Sequence, residues 1–379
     1  MTAFDKPIYV TMPTLAPLTE VDEYMKKVWA SGVMTHNGPL VQQFERDFSS
    51  WAGLGQSHNH TITQSNNTIV ACCNGTLAIQ LAIRALNLPK GGEIITTPFT
   101  FIATISSILY EGYKPVFVDI DPETLNMDPK NIEAAITPNT VAILPVHVFG
   151  NPCDAEAIEA IAKKYDLKVI FDAAHAVGVN YHGKCVFEYG DVSATSFHAT
   201  KLLNTSEGGG IFAADAEIGT RLRELRFFGY NAAKDVARIG TNAKMTEVNA
   251  AIGLANLKYM DAILADRKKK YNHYKEVLSA AKEVSFQKID ESCNCSYFPL
   301  ILQSEEQLHK VDAALKSINV FARRYFYPSV NTYRTICPDA GACPKSEDIA
   351  NRILCLPLYY TLSEGAVKII AECVKRIAQ

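Results

Sequence analysis

The sequence has no apolar run of the roughly 18–20 residues that a membrane-crossing helix needs. It also lacks a charge excess: 37 Lys and Arg stand against 40 Asp and Glu, for a net charge of -3. A general nucleic-acid binder depends on clustered cations, so this balance argues against one. Any anionic ligand must be held by a local site rather than by the overall field. The start, MTAFDKPIYVTMP, has no basic segment followed by an apolar one; no secretory leader is expected, and a cytoplasmic location is. The glycine signatures of nucleotide folds are missing as well. No Gly-x-Gly-x-x-Gly follows a strand, which counts against a nicotinamide-dependent sugar oxidoreductase, and no Gly-x-x-x-x-Gly-Lys-Ser/Thr occurs. Ten cysteines in 379 residues do not make a disulfide scaffold. Cys72 and Cys73 read as reduced thiols at the end of an apolar run. Cys293 and Cys295 form a lone Cys-x-Cys, with Cys337 and Cys343 downstream; the spacing lacks the Cys-x-x-Cys pairs of zinc sites, so no metal is expected.

What the sequence does have is the composition of a folded protein, 48% hydrophobic and 20% charged. At this length the core is expected to split, here into a large domain, 1–255, and a small C-terminal domain, 256–379. Between residues 68 and 215, short β-rich runs alternate with helical ones. TIVACC (68–73), EIITT (93–97), KPVFVDI (114–120), VAILPVHVF (141–149), LKVIFD (167–172), SATSF (193–197) and GIFAA (210–214) read as strands. Helices are expected at 76–88, 101–112, 128–136 and 154–166. Such alternation implies an α/β fold: a mostly parallel sheet sandwiched by helices, with ligands at the carboxyl ends of the strands. Residues 246–281 read as one long helix, and 282–379 as a smaller α+β unit. TITQSNN (61–67) reads as a polar loop.

Three pieces could carry chemistry. Asn74-Gly75-Thr76 follows a buried strand and opens a helix, where free N–H groups and the helix dipole attract a phosphate. Asp172 ends an apolar strand and points its carboxylate towards the expected crevice, with His175 three residues on. Lys201 sits in SFHATK, between Ser196 and His198 and a Glu207-Gly208-Gly209-Gly210 run expected to need a permissive backbone. A lysine in a desolvated pocket can act as a nucleophile toward carbonyls. An anion cradle, a strand-end carboxylate and a pocket lysine are together what pyridoxal 5'-phosphate (PLP) requires.

Taken with Gly38-Pro39, TPFTFIAT (97–104), PVHVFG (145–150), FDAAHAVG (171–178), SEGGG (206–210), TNAKMTEVNAAIG (241–253) and CLPLYYTLSE (355–364), these pieces resemble the DegT/DnrJ/StrS family of PLP-dependent sugar-nucleotide aminotransferases. The resemblance implies the type I PLP-dependent transferase fold. It implies that Lys201 forms the internal aldimine and shuttles the proton, and that Asp172 pairs with the pyridinium. Phe101 would stack on the ring, and Gly75, Thr76 and Ser196 would hold the phosphate. His175, where many members have Gln, would lie beside the phenolic oxygen. Asn242 or Lys244 would reach the phosphate of a neighbouring subunit, so a homodimer with shared sites is implied. Arg226, Arg238, Arg323 and Arg324 are candidates for the substrate's diphosphate, and Tyr327 for its sugar or base.

The implied reaction moves the amino group of L-glutamate to a dTDP-linked 4-keto-6-deoxyhexose by a ping-pong route. A 3-keto substrate and a PLP-dependent sugar dehydratase are the alternatives; Lys201 favours transamination, since the dehydratases carry His there. A non-catalytic regulatory module would not need both Lys201 and Asp172.

Overall fold

The computed structural model describes residues 4–54 and 69–378; the expected loop at 61–67 lies outside them. Seven strands form the main sheet: β1 Val70–Cys72, β2 Glu93–Thr96, β3 Lys114–Phe117, β4 Thr140–Leu144, β5 Lys168–Asp172, β6 Val192–Ser196 and β7 Gly209–Phe212. Their order is β1-β7-β6-β5-β4-β2-β3. Strands β2 to β6 pair in parallel, and β7 runs antiparallel to both of its neighbours.

The two faces follow from the period of two along each strand. Ile94, Ala142, Leu144 and Ile170 point into one core, with α3 Gly75–Ala85 and α7 Ala216–Arg226 above them. Ile95, Ile143, Val169 and Phe171 point the other way, into a core closed by α6 Ala155–Lys164. Nearly continuous apolar strands are what burial on both faces demands. A third apolar cluster joins α2 Pro39–Trp51 and α8 Glu247–Leu257 to the β1 side of the sheet through Phe44, Phe48, Phe197 and Leu254. Further helices are α1 Leu18–Ser31, α4 Ile102–Tyr110 and α5 Ile132–Ala135.

Several expected elements end early. The strand read at 141–149 stops at Leu144, before Pro145, which has no N–H to give to the ladder; the chain later turns through Phe149 and Gly150, whose φ angles are 60° and 81°. The strand read at 114–120 stops at Phe117, and the helix read at 128–136 is a 3-10 turn, 129–131, followed by α5. The long helix read at 246–281 is two helices, α8 and α9 Met260–Leu278. The break is tertiary in origin. Asn256 accepts from Ala16 N–H at 2.7 Å and donates to Asn204 O at 2.9 Å, fixing the end of α8 against distant chain. Helical periodicity carries no trace of those contacts.

Helix α9 joins the two cores: Met260 and Ile263 pack with the main-sheet cluster, while Tyr271, Tyr274 and Leu278 pack with a second one. That second core covers an antiparallel sheet of β8 Val284–Phe286, β9 Phe298–Leu302 and β10 Ile353–Leu356. It is flanked by α10 Glu305–Ser317, α11 Pro344–Arg352 and α12 Glu364–Ile377. Among the described residues no helix is long and apolar enough to cross a membrane.

Candidate active site

Parallel strands deliver their carboxyl ends to one edge of the sheet, and a cleft of about 350 Å³ lies there. Gly75 and Thr76 reach it from the turn after β1, Phe101 from the turn after β2, Asp172 from the end of β5, and Ser196 and Lys201 from β6 and the turn beyond it. His175 and Arg323 also line it. Sequence positions 126 residues apart, 75 and 201, thus share one cavity.

At the α3 end of the cleft, Asn74 Oδ1 accepts from Leu77 N–H at 2.8 Å, and the first intrahelical bond is Ala78 N–H to Asn74 O at 3.1 Å. The N–H groups of Gly75 and Thr76 come before that bond and stay available for an anion. A methyl group at Gly75 would sit 2.7 Å from Ser196 Cβ, so only glycine lets α3 start this close to β6. The glycine run 208–210 works the same way. None of its φ angles is positive; instead a Cβ at Gly209 would lie 2.4 Å from Asn74 O. The expected permissive turn is therefore a close strand approach that brings β7 beside the phosphate cradle.

Asp172 is buried. Its Oδ2 accepts from Thr104 Oγ1 at 2.8 Å and its Oδ1 from Ala174 N–H at 3.0 Å. Burial pushes its carboxyl above the ordinary carboxylate range, while these two bonds and the Lys201 charge pull it back. Loss of water around the Lys201 ammonium draws it down to about 8, against the opposing pull of Asp172. His175 Nδ1 accepts from Phe149 N–H at 3.3 Å. Burial and the Lys201 charge hold this ring well below its usual range, so it is neutral and carries its proton on Nε2. Phe101, the N-cap residue of α4, is half-exposed over the opening.

The cationic candidates separate. Arg323 is exposed, lines the cleft, and lies 4.7 Å from the Tyr325 ring centre. The other three have partners within this chain. Arg226 is buried, 2.5 Å from Glu45 Oε1 and 2.7 Å from Ala71 O. Arg238 pairs with Glu224. Arg324 donates to Glu305 and Asn351 O, each at 2.8 Å, and stacks on Tyr327. Tyr327 is held by that stack outside the cleft lining. Asn242 and Lys244 hydrogen-bond each other, also outside the lining of this chain's own cleft. Residues the sequence did not single out also appear: Thr104 beside Asp172, and Tyr297, Tyr325 and Phe326 from the chain beyond α9. Thr104 lay within the TPFTFIAT segment, but nothing in that segment marks it as the partner of Asp172.

The chain matches the DegT/DnrJ/EryC1/StrS aminotransferase family over residues 18–375. It belongs to that family. It is 42% identical to a dTDP-4-amino-4,6-dideoxy-D-glucose transaminase of Shigella dysenteriae, over 98% of this chain and all of that one. It is 38% identical to a transaminase of the same name from Escherichia coli, over 96% of each chain. Among solved structures, DesI in the presence of its TDP-sugar product superposes with a TM-score of 0.91 at 31% identity, covering all of this chain and 94% of that one. The family assignment makes the chain a PLP-dependent aminotransferase of the type I fold. The residues present fit that cofactor: an amine and a carboxylate on adjoining walls of one cleft, and an anion cradle whose glycine tolerates no added methyl.

Proposed function

We propose that the chain transfers the amino group of L-glutamate to the 4-keto carbon of a dTDP-linked 4-keto-6-deoxyhexose, in two half-reactions of ping-pong form. The observation that carries this is the partly buried Lys201 amine, drawn down to about 8 in the same cleft as buried Asp172. The two transaminases named above supply the sugar and nucleotide class.

PLP, when bound, supplies an aldehyde that condenses with amines and a ring that accepts electrons from a breaking Cα–H bond. Lys201 would hold the cofactor between turnovers. Its amine would take the α-proton of glutamate and give a proton back on the return; a basicity near neutral serves both directions. Asp172 would keep a proton on the ring nitrogen, and the bonds from Thr104 and Ala174 favour its anionic form against the opposing effect of burial. Gly75, Thr76 and Ser196 would bind the phosphate. Phe101 would cover one face of the ring, and the Nε2–H of His175 would donate towards the phenolic oxygen. Arg323 is the cation in the lining for the anionic part of each substrate in turn. Asn242 or Lys244 completes the phosphate site of a second copy of the chain, in a homodimer.

The test is incubation of purified enzyme with glutamate and a panel of dTDP-linked 4-keto and 3-keto sugars. Release of 2-oxoglutarate by glutamate alone, followed by an amino group at C4 in the sugar product by NMR, is expected. Amination at C3, or loss of water without amination, would overturn this assignment in favour of the corresponding alternative.

A further inference from the structure

His175 sits in the turn after β5, where neither helix nor strand fixes it. Its main chain is held instead by a residue 119 positions further on. Asn294, between β8 and β9, donates from Nδ2 to the carbonyls of His175 at 2.7 Å and Val177 at 2.8 Å. Among the described residues no backbone N–H reaches either carbonyl. Ser296 N–H donates to Asn294 Oδ1 at 3.0 Å, which decides that Nδ2 is the end facing those carbonyls. Ser296 Oγ lies 2.8 Å from His175 O and 2.7 Å from Asn294 Oδ1, so its one proton steadies either the carbonyl or the amide. Both side chains are buried, where leaving a polar group unpaired is costly.

The segment that carries Asn294 is itself anchored. Gln287 Nε2 donates to Thr124 O at 2.7 Å, and Asn151 bonds to Lys288 O at 3.0 Å and to Asp290 N–H at 2.8 Å. Arg267 Nη1, from α9, donates to Ser296 O at 2.9 Å. Gly150 makes room for the contact: a Cβ there would lie 1.8 Å from Asn294 Oδ1 and 2.8 Å from His175 O. The His175 ring is caught as well. Phe149 N–H donates to its Nδ1 at 3.3 Å, the Phe326 ring lies parallel to it within 5°, and Tyr297, next after Ser296, lies 4.9 Å from it between centroids. Nε2 is left as the donor of a ring that lines the cleft.

We propose that Asn294, seconded by Ser296, is a positioning residue for His175: it fixes the turn so that the Nε2–H meets the cofactor's phenolic oxygen. This rests on the proposed place of His175 beside that oxygen. Asn294 is outside the cleft lining, so its effect on the cofactor passes through His175. A hydrogen bond weakens steeply when its geometry is lost, and the free turn would no longer aim the ring. A donor to the phenolic oxygen stabilises negative charge there. Without it, the linkage between Lys201 and the cofactor would keep its proton to higher pH. The charged groups that share the cleft, Asp172, Lys201, His198, Glu207 and Arg323, are the same in every variant below, so the comparison isolates His175.

The test is a pH titration of the visible absorbance of the holoenzyme. His175→Phe keeps a ring and removes the donor; it should raise the midpoint by about one pH unit, the scale of one hydrogen bond to a charged oxygen. Asn294→Ala should reproduce most of that rise, a change that loss of stability alone does not produce. Ser296→Ala should give a smaller rise, and Ser296→Thr, which keeps the hydroxyl, should stay near wild type. A His175→Phe enzyme with a raised midpoint, beside Asn294→Ala and Ser296→Ala enzymes at the wild-type value, would overturn the proposal and leave the place of His175 standing. A His175→Phe midpoint equal to wild type would remove His175 from the phenolic oxygen, and the role of Asn294 with it. Where Asn294→Ala fails to fold, the two Ser296 variants carry the decision.

Discussion

Thr104 Oγ1, in the first turn of α4, donates a 2.8 Å hydrogen bond to Oδ2 of Asp172, which lines the cleft. Thr104 is fully buried and also shares a 2.8 Å bond with Thr100. It therefore restrains the carboxylate proposed to pair with the cofactor's ring nitrogen. Thr104→Val keeps the shape and removes the donor. Bonds to charged groups contribute about 1.5–3 kcal/mol, so kcat is expected to fall roughly tenfold or more with little change in KM. Asp172→Asn should keep the fold and lose most activity. A Thr104→Val enzyme with wild-type kcat would remove Thr104 from this role.

Lys201 sets a pH dependence with a definite sign. Its ammonium is drawn from the ordinary 10.5 to about 8. Capture of PLP by the apoenzyme needs the free amine, so its rate should rise with pH and level off above about 8. Stopped-flow absorbance at constant ionic strength checks this. Stability follows the same linkage. Between about 8 and 10.5 the unfolded chain holds a proton that the folded chain does not, so the Lys201 contribution improves as pH rises through that window and is least favourable below 8. Lys201→Met apoenzyme should accordingly melt higher than wild type at pH 7, while Lys201→Ala abolishes the visible band of lysine-bound cofactor and lowers turnover by on the order of 10²–10⁴.

Gly75 is needed for space rather than for an unusual backbone. An alanine methyl would meet Ser196 Cβ at 2.7 Å and force α3 away from β6. Overpacking of this kind costs about 1–3 kcal/mol. Gly75→Ala should weaken PLP binding about tenfold or more, read by equilibrium dialysis, because the N–H groups of the cradle move with the helix. An unchanged Kd would show that the cradle does not carry the phosphate.

The two adjacent arginines should behave differently. Arg323 lines the cleft and makes no ion pair among the described residues, so Arg323→Ala should raise KM for the anionic substrates and leave the melting temperature nearly unchanged. Arg324 is bound to Glu305 and to the carbonyls of Ala350 and Asn351. Arg324→Ala should cost about 1–2 kcal/mol of stability and leave KM alone. Steady-state kinetics and thermal melts on the same two proteins separate the roles.

The sequence by itself determined the alternation of strand and helix from β1 to β7, since runs buried on both faces must be apolar and the helices between them amphipathic. It also marked Gly75, Asp172 and Lys201, because each stands at or a few residues past the end of a strand, where a parallel sheet places its ligands. It could not show that Thr104 lies beside Asp172, that Asn256 breaks the helix at 258–259, or that Arg226 and Arg324 are already engaged while Arg323 is not. Those outcomes depend on contacts between residues far apart in the chain, such as Glu45 with Arg226 and Ala16 with Asn256. Local propensity and spacing act over a few residues. Which charge is satisfied and which is left facing the cleft is settled only when the whole chain has packed.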